Sequence, residues 1–320
     1  VGSHASLKRI FTKLKNQHLV IPYTVVIGLI ILLMMVNPQF RSPRNLSNIL
    51  LRALPLLAVS LGQTMVLLGA GIDLSVGAII ALSTTVASVS LEWNLLAGII
   101  LVFASGMFVG LINGLGVTFL RINPFLMTLG TTIITAGVAL YIRPYPGGMI
   151  PMPYVNFVLA RIGVFPLTPF LLFVFLILCG VIILRKSRFG RHLYAVGGNR
   201  DAARLAGIPT NRVLIGTYVF SGFFSVFAGL YMTARICCGD PGVGASYQMD
   251  SIAAAVLGGT ALTGGRGSMG GTVMGVIILA MLGNIFNLLN FNIYWQNILR
   301  GLILIVVVAS SQMRVRKASQ

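Results

Sequence analysis

Acidic side chains are nearly missing from this chain. Five Asp and Glu stand against 23 Lys and Arg in 320 residues, a formal net charge of +18. Ion-coupled carriers hold carboxylates or histidines within their spans, and intramembrane enzymes need a nucleophile–base or metal constellation. Here the acids read as lying mostly in loops between apolar runs. Of the three histidines, His4 falls in residues 1–6 (VGSHAS), which look like a cloning remnant, and His18 and His192 lie beyond the spans. Cysteine is equally sparse. Cys179 sits in an apolar run and Cys237 adjoins Cys238, so neither a disulfide framework nor a metal-ligand spacing emerges. A phosphate-binding G-x-x-x-x-G-K-[ST] run is missing too. In GGTALTGGRGSMGGT (258–272) Gly264 is followed by Gly265 and Arg266, and Gly242-Val243-Gly244 lacks the third glycine of a dinucleotide fingerprint. The expectation is a chain that hydrolyses no ATP and has no catalytic residues, metal or cofactor of its own. No small-residue cleavage site follows the first apolar run, so no cleavable signal is expected.

What the chain has in abundance is apolar length. Hydrophobic residues make up 57%, charged residues 9%, and mean hydropathy is +0.94. Runs of about 20 apolar residues recur, which marks an all-α polytopic membrane protein. The ten-residue alternation of a membrane barrel is absent. Spans are predicted at 20–36, 46–68, 74–92, 95–120, 124–142, 167–184, 214–234, 271–289 and 295–310. A short apolar piece at 251–262 follows the polar loop CCGDPGVGASYQMD, and 155–162 reads as an interfacial helix after the Pro-rich RPYPGGMIPMPY. This amounts to about ten transmembrane helices, some short or broken; eight full spans with irregular pieces also fit.

The positive charge clusters at Lys8, Arg9, Lys13 and Lys15, in the central segment, and at Arg314, Arg316 and Lys317. Short basic segments of this kind mark the cytoplasmic side of a membrane protein, a better account than nucleic-acid binding. Residues 7–18 and 312–320 are then cytoplasmic ends around one membrane domain, 19–311. The same assignment puts Arg121, the loop 185–212 and Arg266 in the cytoplasm.

Within that loop, Asn199 is placed to cap a short helix-prone segment, RDAARLAG, with Gly207 as its terminator. Either it connects two spans, or it is a docking helix with a small face of Ala202, Ala203 and Ala206; the lack of an internal power source favours docking. In GIDLSVG (71–77), Asp73 caps the following helix or lines a polar path; capping is the commoner use. Asp73 and Asp250 each follow a Gly-containing linker before a small-residue helix start, a weak echo of an inverted repeat. Gly106, Gly110 and Gly114 allow close helix approach, within the chain or between subunits. Asn284, Asn287 and Asn290 either line a route for a polyhydroxylated solute or bind neighbouring helices. Thr131, Thr132, Thr135, Gln63 and Thr64 are weaker candidates of the same sort, and Phe125 and Tyr141 offer stacking faces or simple packing.

The runs GIDLSVG, RFGRHLYAVGGNRDAARLAGI and MDSIAAAVLGGTALTGGRGSMGGT, in this order among the spans, resemble the ribose-type sugar permeases of bacterial ABC importers, over residues 19–309. The wider family includes permeases for nucleosides and branched-chain amino acids, so an autoinducer-type sugar derivative, a nucleoside or an amino acid is an alternative cargo. The resemblance implies a multi-pass protein of the bacterial inner (plasma) membrane with both termini cytoplasmic. It implies pairing with a second permease subunit, identical or related. A cytoplasmic ATP-binding subunit would carry ATP and magnesium, and a periplasmic binding protein would deliver the sugar. It further implies a coupling helix at Gly197, Gly198, Asn199, Arg200, Ala203, Arg204 and Gly207. Candidates for the translocation path are Asp73, Phe125, Thr131, Asn284 and Asn287.

Overall fold

The computed structural model describes residues 38–292 continuously, together with 28, 294–299, 301, 302 and 305. All of the span expected at 20–36 except residue 28, the ends 1–18 and 312–320 expected in the cytoplasm, and half of the span at 295–310 lie outside the described residues.

After a 3-10 turn at Pro38–Arg41, the helices are α1 (Pro43–Leu68), α2 (Val76–Ser90), α3 (Leu95–Thr118), α4 (Pro124–Ile142), α5 (Met152–Val158) and α6 (Leu167–Val181). Then come α7 (Arg188–Gly198), α8 (Arg200–Leu205), α9 (Thr210–Ile236), α10 (Ala245–Leu257) and α11 (Met269–Leu288). A π-turn at Ile182–Lys186 extends α6. Six of these segments are long and apolar enough to cross a membrane: α1, α3, α4, α6 with its π-turn, α9 and α11. Polar caps explain where most of them start. The side chains of Ser42, Asn94, Asn123 and Ser268 accept from the first free N–H groups of α1, α3, α4 and α11. Pro43 and Pro124 occupy the first helical positions of α1 and α4, where a missing N–H is harmless.

α1 and α9 are buried along most of their length and form the central pair, whereas α4 and α6 turn large apolar side chains such as Ile133, Ile134, Phe170 and Leu171 outward. The glycines of α3 answer their open question. An added Cβ at Gly106, Gly110 or Gly114 would strike Val226, Tyr218 or Ile215 of α9. Their spacing therefore serves a contact within the chain.

The short elements depart most from expectation. The interfacial helix begins at Met152, earlier than expected, and its Tyr154 hydroxyl donates to the Leu230 carbonyl at 2.8 Å. The polar run before residue 251 is only partly loop: ASYQMD forms the first turns of α10, so Asp250 lies inside a helix. Hydropathy missed this because those turns are polar and α10 is too short to dominate a span-length window.

α2 and α10 are half-helices running in opposite directions. α2 starts where Asp73 meets Ser221 in the middle of α9 and ends where Ser88 meets Arg143. α10 runs from Gly244, which abuts Gly77, down to Gly258, which abuts Gly271 at the start of α11. The inverted echo is therefore real in space, with a corrected register. One constant offset relates Asp73 to Asp240, Val76 to Val243, Gly77 to Gly244 and Ala78 to Ala245. Gly77 and Gly244 meet backbone to backbone, and a Cβ on either would collide with the other's carbonyl. The same offset carries α1 onto α9, so the most buried pair and the glycine contact both lie at the join of two inverted halves.

Candidate functional site

Two polar regions stand out, one inside the bundle and one at its basic end. The inner region is built on the unwound stretch between α1 and α2. Asp73 is fully buried, and its carboxylate accepts three hydrogen bonds. Ser75 donates its hydroxyl (2.6 Å) and its backbone N–H (2.9 Å) to Oδ1, and Ser221 of α9 donates its hydroxyl to Oδ2 (2.7 Å). The Ser75 hydroxyl accepts from the Asn113 amide of α3 (2.9 Å). The Asn113 oxygen in turn accepts from Thr131 of α4 (2.6 Å). On the other side the Gln63 amide of α1, in the orientation that satisfies both of its ends, bonds both backbone groups of Asp73, donating to the carbonyl at 2.9 Å and accepting from the N–H at 3.3 Å. Five helices are thus tied through the Asp73–Ser75 turn. A buried carboxyl group of this kind is tolerated because both of its oxygens find donors.

Asp73 holds the N–H of Ser75, the residue before α2, so it shapes the turn into the helix and caps none of the helical N–H groups themselves. Thr131 belongs to the same relay. Phe125 does not; it sits half-exposed near the start of α4. Asn284 is also elsewhere. It exchanges two amide hydrogen bonds with Asn45 of α1, at 2.7 and 3.1 Å, clasping α11 to α1. Asn287 is exposed, and its amide donates to the Gly283 carbonyl one turn back. Thr64 meets Thr272 at 2.7 Å, another helix-to-helix tie. Of the residues expected on one path, only Asp73 and Thr131 therefore come together. Asn113, Ser221 and Tyr218 were missed. Their signal is a polar residue amid an apolar helix, which marks them as special without naming their partners.

The second region is a cavity of about 1070 Å³ opening at the end that carries Arg121, α7, α8 and the α10–α11 loop. Arg121, Arg200, Arg204 and Arg212 line its mouth, and Tyr218 and Thr217 lie deeper. The Tyr218 hydroxyl is buried, has no protein partner, and packs so closely on Gly71 that no side chain fits there. The mouth is braced from below. Gly197 of α7 packs on the Leu68 carbonyl, Gly265 donates its N–H to that same carbonyl at 2.9 Å, and Tyr194 donates to the Gly267 carbonyl at 2.9 Å. Burial pushes the Tyr194 phenol above its usual range, with Arg185 acting the other way. The glycine-rich 258–272 run is thus a tight turn that closes against α7.

α8 rides on this brace. The Asn199 side chain accepts from the Ala202 N–H at 2.9 Å, and Gly207, at φ +79°, ends the helix in the left-handed region. The small face does not form as expected. Ala203 turns inward and is buried, whereas Ala202 and Ala206 face out beside Leu205, which is 90% exposed. Arg200 donates to the Asn211 side chain at 3.2 Å, Arg204 is exposed, and Gly198 has open space around it. Among the described residues no group of three or more His, Cys, Asp or Glu is placed to hold a metal.

Comparison with known proteins places this architecture. The profile of a family described as branched-chain amino acid transport system / permease component matches residues 45–308. The ribose import permease protein RbsC of Bacillus subtilis (strain 168) is 37% identical over 308 residues, covering 90% of this chain and 90% of the relative. The same-named protein of Haemophilus influenzae is 36% identical, covering 89% and 90%. The galactose/methyl galactoside import permease protein MglC of Escherichia coli (strain K12) is 32% identical, covering 91% and 93%. No solved structure gives a significant match. Matched across most of its length, and folded as a bundle of apolar helices around a polar centre, the chain belongs to this family of transport-system permease components.

Proposed function

We propose that this chain is the membrane-spanning subunit of an ATP-driven importer that carries a monosaccharide, ribose- or galactose-like, into a bacterial cell. The observation that carries the reading is identity of 32–37% over about nine-tenths of the chain to permeases named for ribose and galactose import. The family description refers to branched-chain amino acids, so an amino acid is the competing cargo. The full-length relatives favour sugar.

In this reading the basic end is cytoplasmic, as short Arg- and Lys-rich loops favour, and both termini lie there. The six long helices, the half-helices α2 and α10, and the segments before residue 38 and after residue 294 together make about ten crossings. A second permease subunit completes the conduit. A cytoplasmic ATP-binding subunit, which carries ATP and magnesium, grips α8 and its flanks at Gly198, Asn199, Arg200 and Arg204. Leu205 is the apolar anchor: its side chain is exposed on α8, and burying it in a partner's groove would contribute about 1.5–3 kcal/mol. Ala203 and Gly197 instead hold α8 to its brace. A periplasmic binding protein delivers the sugar to the far end.

The test is uptake of radiolabelled ribose and galactose into proteoliposomes holding this chain, its ATP-binding subunit and its binding protein. Accumulation that requires ATP supports the reading. Accumulation by this chain alone on a proton or sodium gradient would refute it.

A further inference from the structure

A second, smaller cavity of about 270 Å³ lies away from the Asp73 relay, between α1, α9, α10 and α11. Its wall carries Arg52, Arg235, Ser246, Tyr247, Asp250 and Phe286. Three of these are charged. The side chains of Arg52, Arg235 and Ser246 are exposed on the flank of the bundle, and Tyr247 and Asp250 are partly exposed. The pocket lies alongside the span-length helices α1, α9 and α11. Ser246, Tyr247 and Asp250 sit on the first turns of α10, which begins against Gly77, and α2 still runs from there to the far end. Phe286 is on α11, whose start packs at the basic end. Arg235 reaches in from the last turn of α9 and donates to the Leu51 carbonyl at 3.3 Å, beside Arg52. The Tyr247 hydroxyl is turned toward the Met232 sulfur at 3.7 Å.

Charges such as Arg52 and Asp250 on the sides of these helices are costly against lipid, so the flank is read as bordering water or protein. The lipid-facing helices look different: α4 and α6 present Ile133, Ile134, Phe170 and Leu171. The chemistry on the wall is that of polyol recognition. Arginine forks donate pairs of hydrogen bonds, a carboxylate accepts from adjacent hydroxyls, and two aromatic rings offer an apolar face to C–H groups. The volume holds roughly nine waters at about 30 Å³ each, which suits one small ring and not a long chain.

We propose that Arg52, Arg235, Tyr247 and Asp250 form the substrate subsite of the conduit, binding a neutral monosaccharide in the far half of the membrane. This rests on the sugar-import reading and places the binding function at the flank cavity and not at Asp73, whose carboxyl lies fully buried inside the bundle. The test uses the assembled transporter in proteoliposomes, with Cys179, Cys237 and Cys238 replaced by serine. Ser246→Cys should react with a membrane-impermeant thiol reagent, and D-ribose or D-galactose with the binding protein should slow that reaction several-fold. Ile133→Cys on the lipid face should stay unreactive. Arg52→Gln and Asp250→Asn should each raise the KM for uptake of the transported sugar roughly tenfold, the loss of about one good hydrogen bond. ATP-driven uptake with wild-type KM in both variants, and no sugar protection of the thiol introduced by Ser246→Cys, would overturn the subsite and leave the importer standing. An unreactive Ser246→Cys that instead cross-links two copies would also overturn it, making this flank a subunit contact. Absence of ATP-driven uptake by the unmodified complex would remove both readings together.

Discussion

Asp73 shows how one side chain acquires its role from its surroundings. As an acid beside an apolar run it is ambiguous between a cap and a path residue, and the hydrogen bonds decide. Three hydrogen bonds reach its carboxyl oxygens, and the relay through Ser75, Asn113 and Thr131 has one consistent direction of donation. Asp73→Ala is expected to leave the Ser75 and Ser221 hydroxyls unpaired in the interior, destabilising the protein by about 1–3 kcal/mol for each orphaned group. A lower unfolding temperature in detergent, with Ser221→Ala adding little to it, would reveal the shared partner. Additive losses in the double variant would show that the two side chains do not act through one bond. Asn284 is the converse case. Its sequence position suited a path, but its amide is matched to Asn45, and either is expected to be destabilising when replaced by leucine alone.

At the scale of elements, close approach is the controlling feature. The α3 stripe of Gly106, Gly110 and Gly114 presses on the backbone of α9, where Tyr218 and Ser221 serve the polar centre. Gly110→Leu is expected to separate α3 from α9 and abolish a monodisperse peak in size-exclusion chromatography, whereas Gly130→Leu, with open space around it, should leave that peak intact. α8 belongs to this scale as well. Leu205→Asp should leave the permease folded but cut ATP-driven uptake by about tenfold or more, the change that follows when an interfacial anchor worth ~1.5–3 kcal/mol is removed. Normal uptake by that variant would place the ATP-binding subunit elsewhere. Ala203→Glu is a poorer probe than its sequence position suggests, because its side chain points into the fold.

Over the whole molecule, the two inverted halves meet at Gly77 and Gly244, which gives the two ends distinct characters from similar parts. One end carries the arginine-lined cavity and α8. The other carries the Gly147–Gly239 bridge, with backbone hydrogen bonds of 2.9 and 2.8 Å, close to the exposed Cys237. In intact cells with the outer membrane permeabilised, an impermeant maleimide is expected to label Cys237. Leu205→Cys, in a background with Cys179, Cys237 and Cys238 replaced by serine, should react only in inside-out vesicles. The reverse pattern would invert the proposed orientation.

Much of this was legible in the residues alone. Apolar run lengths predicted α1, α3, α4, α6, α9 and α11 to within a few residues, because crossing hydrocarbon demands long, internally bonded helices. Asn199 and Gly207 marked the limits of α8, because capping and left-handed termination are local chemistry. Tertiary structure alone decided which face of each helix looked inward, where α10 began, and which distant side chains met. Those outcomes depend on contacts between residues far apart in the chain: Asp73 with Ser221, Asn45 with Asn284, Gly77 with Gly244. Hydropathy records how apolar a stretch is, and partner choice is set by the packing of whole helices against one another.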